Sequence, residues 1–264
     1  MIPFCSAEAQ SVVTRVARER TLLVFDFDGT LAPIVERRED ARMRPETRAL
    51  LRATALLYPC AVVSGRSRSD VAARVADVPL VAVIGSHGAE PGFGPVDREL
   101  PERLRGWVAA LRVSLAGVPG VEIEDKRFCV AVHYRGAAAR GEAEARILGA
   151  TERLGDVRTF VGHAVVNVLA AGAPTKADAI RALCTREHTH LPVYVGDDST
   201  DEEAFGCDAV GIAIRVGLAS ASSARYFVSD QAQVDELLEL LVAARARQDG
   251  LGDRWEGLAR VLGV

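Results

Sequence analysis

The sequence predicts an α/β protein: a parallel sheet covered on both faces by helices and interrupted by an inserted α+β unit. Three observations predict it. Continuous apolar runs, Thr21-Leu22-Leu23-Val24-Phe25, Cys60-Ala61-Val62-Val63 and Leu80-Val81-Ala82-Val83-Ile84, alternate with helical stretches, the pattern of strands buried on both faces. Each run ends in small or polar residues, Asp26-Phe27-Asp28-Gly29-Thr30, Ser64-Gly65-Arg66 and Gly85-Ser86-His87-Gly88-Ala89-Glu90. These ends should share one edge of the sheet, where open α/β sheets bind ligands. After Pro91-Gly92-Phe93-Gly94-Pro95 the pattern changes to strand pairs beside helices, and α/β order returns before Pro192-Val193-Tyr194-Val195.

The elements follow in order. A short helix over 11–20 leads into the first strand, and Pro45 opens a helix over 45–57, where proline suits a first helical turn. A helix over 69–75 joins the second strand to the third. Residues 92–173 form the expected insertion: a helix over 99–115, strands over 121–125 and 128–134 joined at Lys126-Arg127, a helix over 137–154, and a hairpin over 157–169 around Gly162-His163. The core, 1–91 and 174–264, resumes with a helix over 175–184 and the strand at 192–195, which ends in Gly196-Asp197-Asp198-Ser199-Thr200-Asp201-Glu202. Strands over 209–216 and 226–228, an amphipathic helix over 234–247 and a last helix around Trp255 complete the chain.

Composition narrows the function classes. The 264 residues are 49% hydrophobic and 26% charged, with 32 Lys and Arg against 36 Asp and Glu. Nothing here suits nucleic acid, because no basic block forms. The clusters Arg37-Arg38 and Arg245 to Arg247 read as solvated helix faces. Five scattered cysteines without a Cys-x-x-Cys pair suggest neither a disulfide framework nor a zinc site, and a reducing cytosol is the default. Cys60 and Cys129 lie in apolar runs and read as core residues. Met1 to Gln10 lacks the cationic-then-apolar order of a signal peptide. No uninterrupted apolar stretch reaches the length of a membrane span. A cytoplasmic protein without membrane or nucleic-acid partners is expected. Its oligomeric state is not legible, and a monomer is the default.

The chemistry starts at Asp26 and Asp28. Two carboxylates so close repel each other unless a cation sits between them, and a hard cation such as Mg²⁺ takes oxygen ligands of this kind. Ser64 adds a hydroxyl, Lys176 an ammonium, and Asp197, Asp198 and Asp201 further carboxylates. A carboxylate nucleophile, a second carboxylate for protons, a metal and a cation are what phosphoryl transfer through an aspartyl-phosphate requires.

Asp26-Phe27-Asp28-Gly29-Thr30-Leu31, Ser64-Gly65-Arg66, Lys176 and Gly196 to Glu202 resemble, in order, the four motifs of the haloacid dehalogenase-like (HAD) phosphatases. The resemblance spans nearly the whole chain and implies a Rossmann-like core with a C2-type cap as the insertion. Gly85 to Glu90, Glu124-Asp125-Lys126 and His133-Tyr134-Arg135 sharpen it to the trehalose-6-phosphate phosphatase family. The resemblance implies Asp26 as nucleophile and Asp28 as proton carrier. It implies Mg²⁺ held by the Asp26 carboxylate, the Asp28 carbonyl and Asp197, with Asp201 acting through water. Ser64 and Lys176 would bind the phosphoryl group. Arg66 and His87 from the core, and Glu124, Lys126, His133 and Arg135 from the cap, would face the sugar.

The chain departs from the family pattern on the last cap strand, where Asn167, Leu169 and Ala170 replace Glu, Arg and Pro. Asn167 keeps the capacity to bind a hydroxyl without charge; Leu169 does not. Ala177 also follows Lys176 where glycine is common. The expected substrate is a phosphorylated disaccharide, trehalose 6-phosphate first. A pseudo-disaccharide phosphate, a glycosyl-phosphoglycerate and a non-catalytic sugar-phosphate sensor are the alternatives. Glu124 and Lys126, two residues apart on a strand, also read as a plain surface ion pair.

Overall fold

The computed structural model describes residues 1–90 and 98–251. The breaker cluster at 91–95 and the helix expected around Trp255 lie outside the described residues. The core strands are β1 (Ile2–Pro3), β2 (Thr21–Phe25), β3 (Cys60–Val63) and β4 (Ala82–Ile84). The insertion supplies β5 (Glu122–Asp125), β6 (Val130–His133), β7 (Val157–Gly162) and β8 (Val165–Ala170). The core then continues with β9 (Leu191–Gly196), β10 (Ile212–Val216) and β11 (Tyr226–Val228). The helices are α1 (Gln10–Arg18), α2 (Pro45–Leu57), α3 (Arg68–Arg74), α4 (Leu100–Leu115), α5 (Arg140–Thr151), α6 (Lys176–Glu187), α7 (Glu202–Phe205) and α8 (Gln233–Gln248).

Two sheets result. The core sheet has seven strands in the order β1-β11-β10-β9-β2-β3-β4, and every pairing in it is parallel. Its strands are apolar on both faces because both are covered. Leu23 and Phe25 of β2 pack with Val13, Leu51 and Leu237 beneath α1, α2 and α8. Leu22 and Val24, one residue out of phase, pack with Ile180, Leu183 and Phe205 beneath α6 and α7. The chain builds outward from β2 through β3 and β4, leaves for the insertion, and returns at β9 on the other side of β2. That reversal opens a crevice at the carboxyl ends of β2 and β9, the place where such sheets bind ligands.

The insertion is an antiparallel sheet in the order β5-β6-β8-β7. Its own core comes from Leu104, Trp107 and Leu111 of α4 and Ile147 of α5 against Val130, Val132, Val166 and Val168.

Several expectations change. The N-terminal strand β1 was not read from sequence; two residues carry no period, and only pairing with β11 creates it. The helix expected from residue 137 begins at Arg140, because the Ala137 N–H closes a turn onto Tyr134 O. Arg245 is not on a solvated face: its guanidinium lies 4.4 Å from the Tyr58 ring centroid and donates to Glu19 O. Arg38 is likewise engaged, as described below. Cys60 and Cys129 are fully buried, as their apolar surroundings predict.

Candidate active site

Asp26 follows β2 immediately, and its N–H continues the ladder by donating to Val195 O at 2.9 Å. The chain then turns at Gly29, whose φ of +78° favours glycine; a Cβ there would sit 2.0 Å from Asp197 Oδ2. Glycine thus lets the Asp197 carboxylate lie against the loop carrying Asp26 and Asp28.

Lys176 is the first residue of α6. A reciprocal cap fixes that start: Thr175 Oγ1 accepts from the Asp178 N–H, and Asp178 accepts from the Thr175 N–H. An ammonium at a helix N-terminus opposes the helix dipole. Two carboxylates offset this, with Lys176 Nζ 2.6 Å from Asp201 Oδ1 and 3.2 Å from Asp26 Oδ1. Burial works against the charged amine, but Asp201 and Asp26 outweigh it and hold Lys176 well above its ordinary pKa.

Asp201 is fully buried and its oxygens are committed. Oδ1 accepts from Lys176 and from the Tyr194 hydroxyl at 2.5 Å. Oδ2 accepts the N–H groups of Asp197 and Asp198 at 2.8 and 3.1 Å. Asp201 therefore organises the Asp197-Asp198 turn as much as it faces any cation.

Asp28 is held differently. Arg66 reaches it bidentately, with Nε to Oδ2 and Nη2 to Oδ1 both at 2.6 Å, a fork that fixes carboxylate orientation. Arg66 also pairs with Asp70 at 2.8 Å. Ser64 follows β3 directly, buried, and its Oγ accepts the Arg66 N–H at 3.2 Å.

Of the candidate catalytic, metal and sugar-binding residues, all but Ser64 and Asp201 line one cavity of about 650 Å³ between core and insertion. That volume suits a small-molecule ligand. The insertion forms its roof and grips the core. Lys126 Nζ donates to Gly65 O at 3.2 Å, Arg135 donates to the carbonyls of Val35 and Glu36, and Ser199 Oγ of the core donates to Val161 O at 2.9 Å. Glu124 and Lys126 are therefore not a plain surface pair: their charged atoms are 4.0 Å apart, and the Lys126 side chain is 4% exposed. Burial raises the Glu124 carboxyl, but the His133 hydrogen bond and the Lys126 and Arg38 charges outweigh it and bring it to about 2.

His87 and Asn167 are buried where the roof meets the core. The His87 ring nitrogens and Asn167 Oδ1 lack a hydrogen-bond partner. Burial, then Lys176 and Lys126, push His87 well below its ordinary pKa, so its ring is neutral. Ser86 and His87 both adopt left-handed backbone, φ 50° and 58°, an uncommon conformation for residues other than glycine that gathers at functional sites. Beside them Leu169 packs with Ala89 and Cys129. The position that cannot bind polar groups thus forms an apolar seam between roof and core.

The residues present suit a divalent cation. Asp26, Asp197 and the committed Asp201 bring oxygens within 4.8 Å of one another. Asp26 Oδ1 is buried without a hydrogen bond. Burial first, then neighbouring carboxylates, hold Asp26 well above the carboxylate range and Asp197 at about 9. A cation among them would remove both strains.

Sequence reasoning missed Arg38, Asp70, Tyr194 and Thr30. Thr30 Oγ1 lies 3.5 Å from Asp197 Oδ1. Asp70 stands four residues beyond Arg66, and that spacing was a usable signal. Nothing in the sequence pairs Tyr194 with Asp201 or Arg38 with the insertion.

Known proteins share this fold. A Bacteroides thetaiotaomicron phosphatase of the HAD enzyme superfamily shares the fold, with a TM-score of 0.60, 16% identity and coverage of 86% of this chain and 95% of that one. The C-terminal domain of a C. albicans trehalose-6-phosphate phosphatase aligns at a TM-score of 0.74, with 19% identity over 89% of this chain and 96% of that one. Both alignments show that the chain has the fold of these phosphatases. Residues 24–231 match the sequence model of trehalose-phosphatase. A probable trehalose-phosphate phosphatase of Oryza sativa subsp. japonica is 31% identical over 281 residues, covering 91% of this chain and 73% of that protein. The chain belongs to the trehalose-phosphatase family. It spans about half the length (52%) of the mycobacterial trehalose-phosphate phosphatases it matches. Among the described residues no helix is long and apolar enough to cross a membrane.

Proposed function

We propose that the protein hydrolyses a phosphorylated disaccharide, trehalose 6-phosphate, to trehalose and phosphate. One observation carries the mechanism: buried Asp26 lies 3.2 Å from the Lys176 ammonium, on the same cavity as an Asp28 whose carboxylate is gripped by Arg66. The two aspartates take unequal roles, Asp28 carrying a proton on the oxygen that the Arg66 fork releases when substrate binds. An Asp26 oxygen attacks phosphorus, the bond from phosphorus to the sugar oxygen breaks, and Asp28 gives that oxygen a proton. Water then attacks the aspartyl-phosphate, Asp28 takes the water proton, and the bond between phosphorus and Asp26 breaks. Lys176 restrains Asp26 and balances phosphoryl charge. Ser64, behind the cavity wall, holds the turn at Gly65-Arg66 and through it the Arg66 that orients Asp28.

Mg²⁺ would be held by Asp26, Asp197 and the Asp28 carbonyl, with Asp201 behind them, and would supply positive charge for the transferring group. Glu124, Lys126, His133 and Arg135 face the sugar from the roof, which acts as a lid that excludes water. His87 and Asn167 offer neutral, unpaired groups to hydroxyls. Five free cysteines accord with action in the cytoplasm.

A related disaccharide phosphate is the second reading, favoured by one observation: neither Asn167 nor Leu169 brings charge to the roof. Phosphate release across a panel of trehalose 6-phosphate, other sugar phosphates and phenyl phosphate tests both. The proposal expects trehalose 6-phosphate to lead, with activity lost on chelation. A panel led by another disaccharide phosphate supports the second reading, and no preference over phenyl phosphate contradicts both.

A further inference from the structure

We infer that Arg38, on the core loop after β2, is a positioning residue for the sugar: it holds Glu124 in place and ties the roof to the core. The inference rests on the proposed sugar-phosphate reading of the cavity.

The loop is anchored before its side chains act. Arg66 Nη2 donates to Arg38 O at 2.8 Å, and Arg74 donates to the carbonyls of Glu39 and Ala41. With its backbone fixed to the core, Arg38 extends its guanidinium to the opposite domain, where Nη1 meets Glu124 Oε2 at 2.9 Å across 86 residues of sequence. The same Glu124 oxygen takes His133 Nε2 at 2.9 Å. The insertion holds this loop a second time, through Arg135 on the carbonyls of Val35 and Glu36. Loop 35–38 is thus one landing site of the roof, beside Gly65 and Ser199, and Arg38 is its one side chain that meets a roof carboxylate among the described ion pairs.

An exposed ion pair ordinarily contributes little, and this one is 31% and 45% exposed. Its setting gives it more consequence. Glu124 lines the cavity beside Lys126 and His133, so its orientation decides which hydroxyls it can accept from. Arg38 also sits at both ends of a polar path: its carbonyl holds the Arg66 that grips Asp28, and its side chain holds Glu124. One core residue therefore couples the position of the roof to the edge of the sheet where the chemistry takes place. The sequence reading of Arg38 as a solvated cation missed this, because the partner is distant in the chain.

The test is a double-mutant cycle with the full chain and Mg²⁺. Arg38→Ala is expected to raise KM for trehalose 6-phosphate about three- to fivefold, the upper range for an exposed pair, with kcat changed less than twofold. Phenyl phosphate, which has no hydroxyl for Glu124 to accept from, should respond less. Arg38→Lys should recover most of the KM, and in a Glu124→Gln background Arg38→Ala should add almost nothing. Equal effects on both substrates, or the full KM increase persisting beside Glu124→Gln, would overturn the inference. Amide exchange keeps this separate from the substrate assignment. Arg38→Ala should speed exchange in segments 35–41 and 122–133 even if trehalose 6-phosphate proves not to be hydrolysed. Unchanged exchange in both segments would refute the coupling.

Discussion

The two walls of the cavity are built on different principles. On the core side most polar atoms are tied to one another: Asp201 accepts from Lys176, Tyr194 and two backbone N–H groups, and Arg66 meets Asp28 with a two-pronged fork, while Asp26 Oδ1 and the His87 ring nitrogens stand outside that hydrogen-bond network. On the roof side Lys126 and Arg135 rest on backbone carbonyls of the opposite domain, and Asn167 Oδ1 is left without a partner. A saturated network fixes geometry and resists substitution. Groups resting on neutral carbonyls can exchange those partners for sugar hydroxyls at small cost. The reaction therefore resides in the rigid wall and the choice of substrate in the exchangeable one.

Substitutions can break this contrast. Asp26→Asn removes the nucleophile and should lower kcat by at least about 10³-fold while the circular dichroism spectrum and Tm stay near those of the parent. Lys176→Met leaves two carboxylates without their shared cation and should cost about 3–5 kcal/mol of stability, read by urea unfolding, together with activity. Arg66→Lys keeps the charge but loses the fork; a fall in kcat of about tenfold is expected, read in steady-state kinetics. Asn167→Ala, on the exchangeable wall, should cost only about 1 kcal/mol, seen as a KM several-fold higher on the disaccharide phosphate and a smaller change on phenyl phosphate. If Asn167→Ala cost as much as Lys176→Met, the contrast between the walls would be wrong.

The carboxylates predict a pH dependence with a definite sign. Without metal the Asp197 carboxyl sits at about 9, above its ordinary 3.8. Between those values the folded state keeps a proton that the unfolded chain has released, so metal-free stability falls as pH rises through the window. Metal binding must expel that proton. Mg²⁺ affinity should climb as pH rises toward about 9, by about tenfold per unit for each proton released. Calorimetric titration at several pH values checks the slope.

Much of the core wall was legible because its signals are local. Every motif but Lys176, which opens α6, lies at the end of an apolar run, and the period of the runs puts those ends on one edge. The strand order and the role of Asp201 as an organiser required the fold, since Tyr194 and Lys176 reach it from separate elements. The roof was legible only in part. Glu124, Lys126, His133 and Arg135 do face the cavity, but their partners on loop 35–38 and at Gly65 lie far off in sequence. The left-handed backbone at Ser86 and His87 has no glycine to announce it. The Leu169 substitution became intelligible only when Ala89 and Cys129 were seen against it.

The most direct test is rapid acid quench of the protein during turnover of trehalose 6-phosphate with Mg²⁺, followed by peptide mass spectrometry. The account predicts a phosphoryl group on Asp26, formed together with a burst of free trehalose. Phosphate on another residue, or sugar and phosphate released together with no labelled peptide at any time, would contradict it.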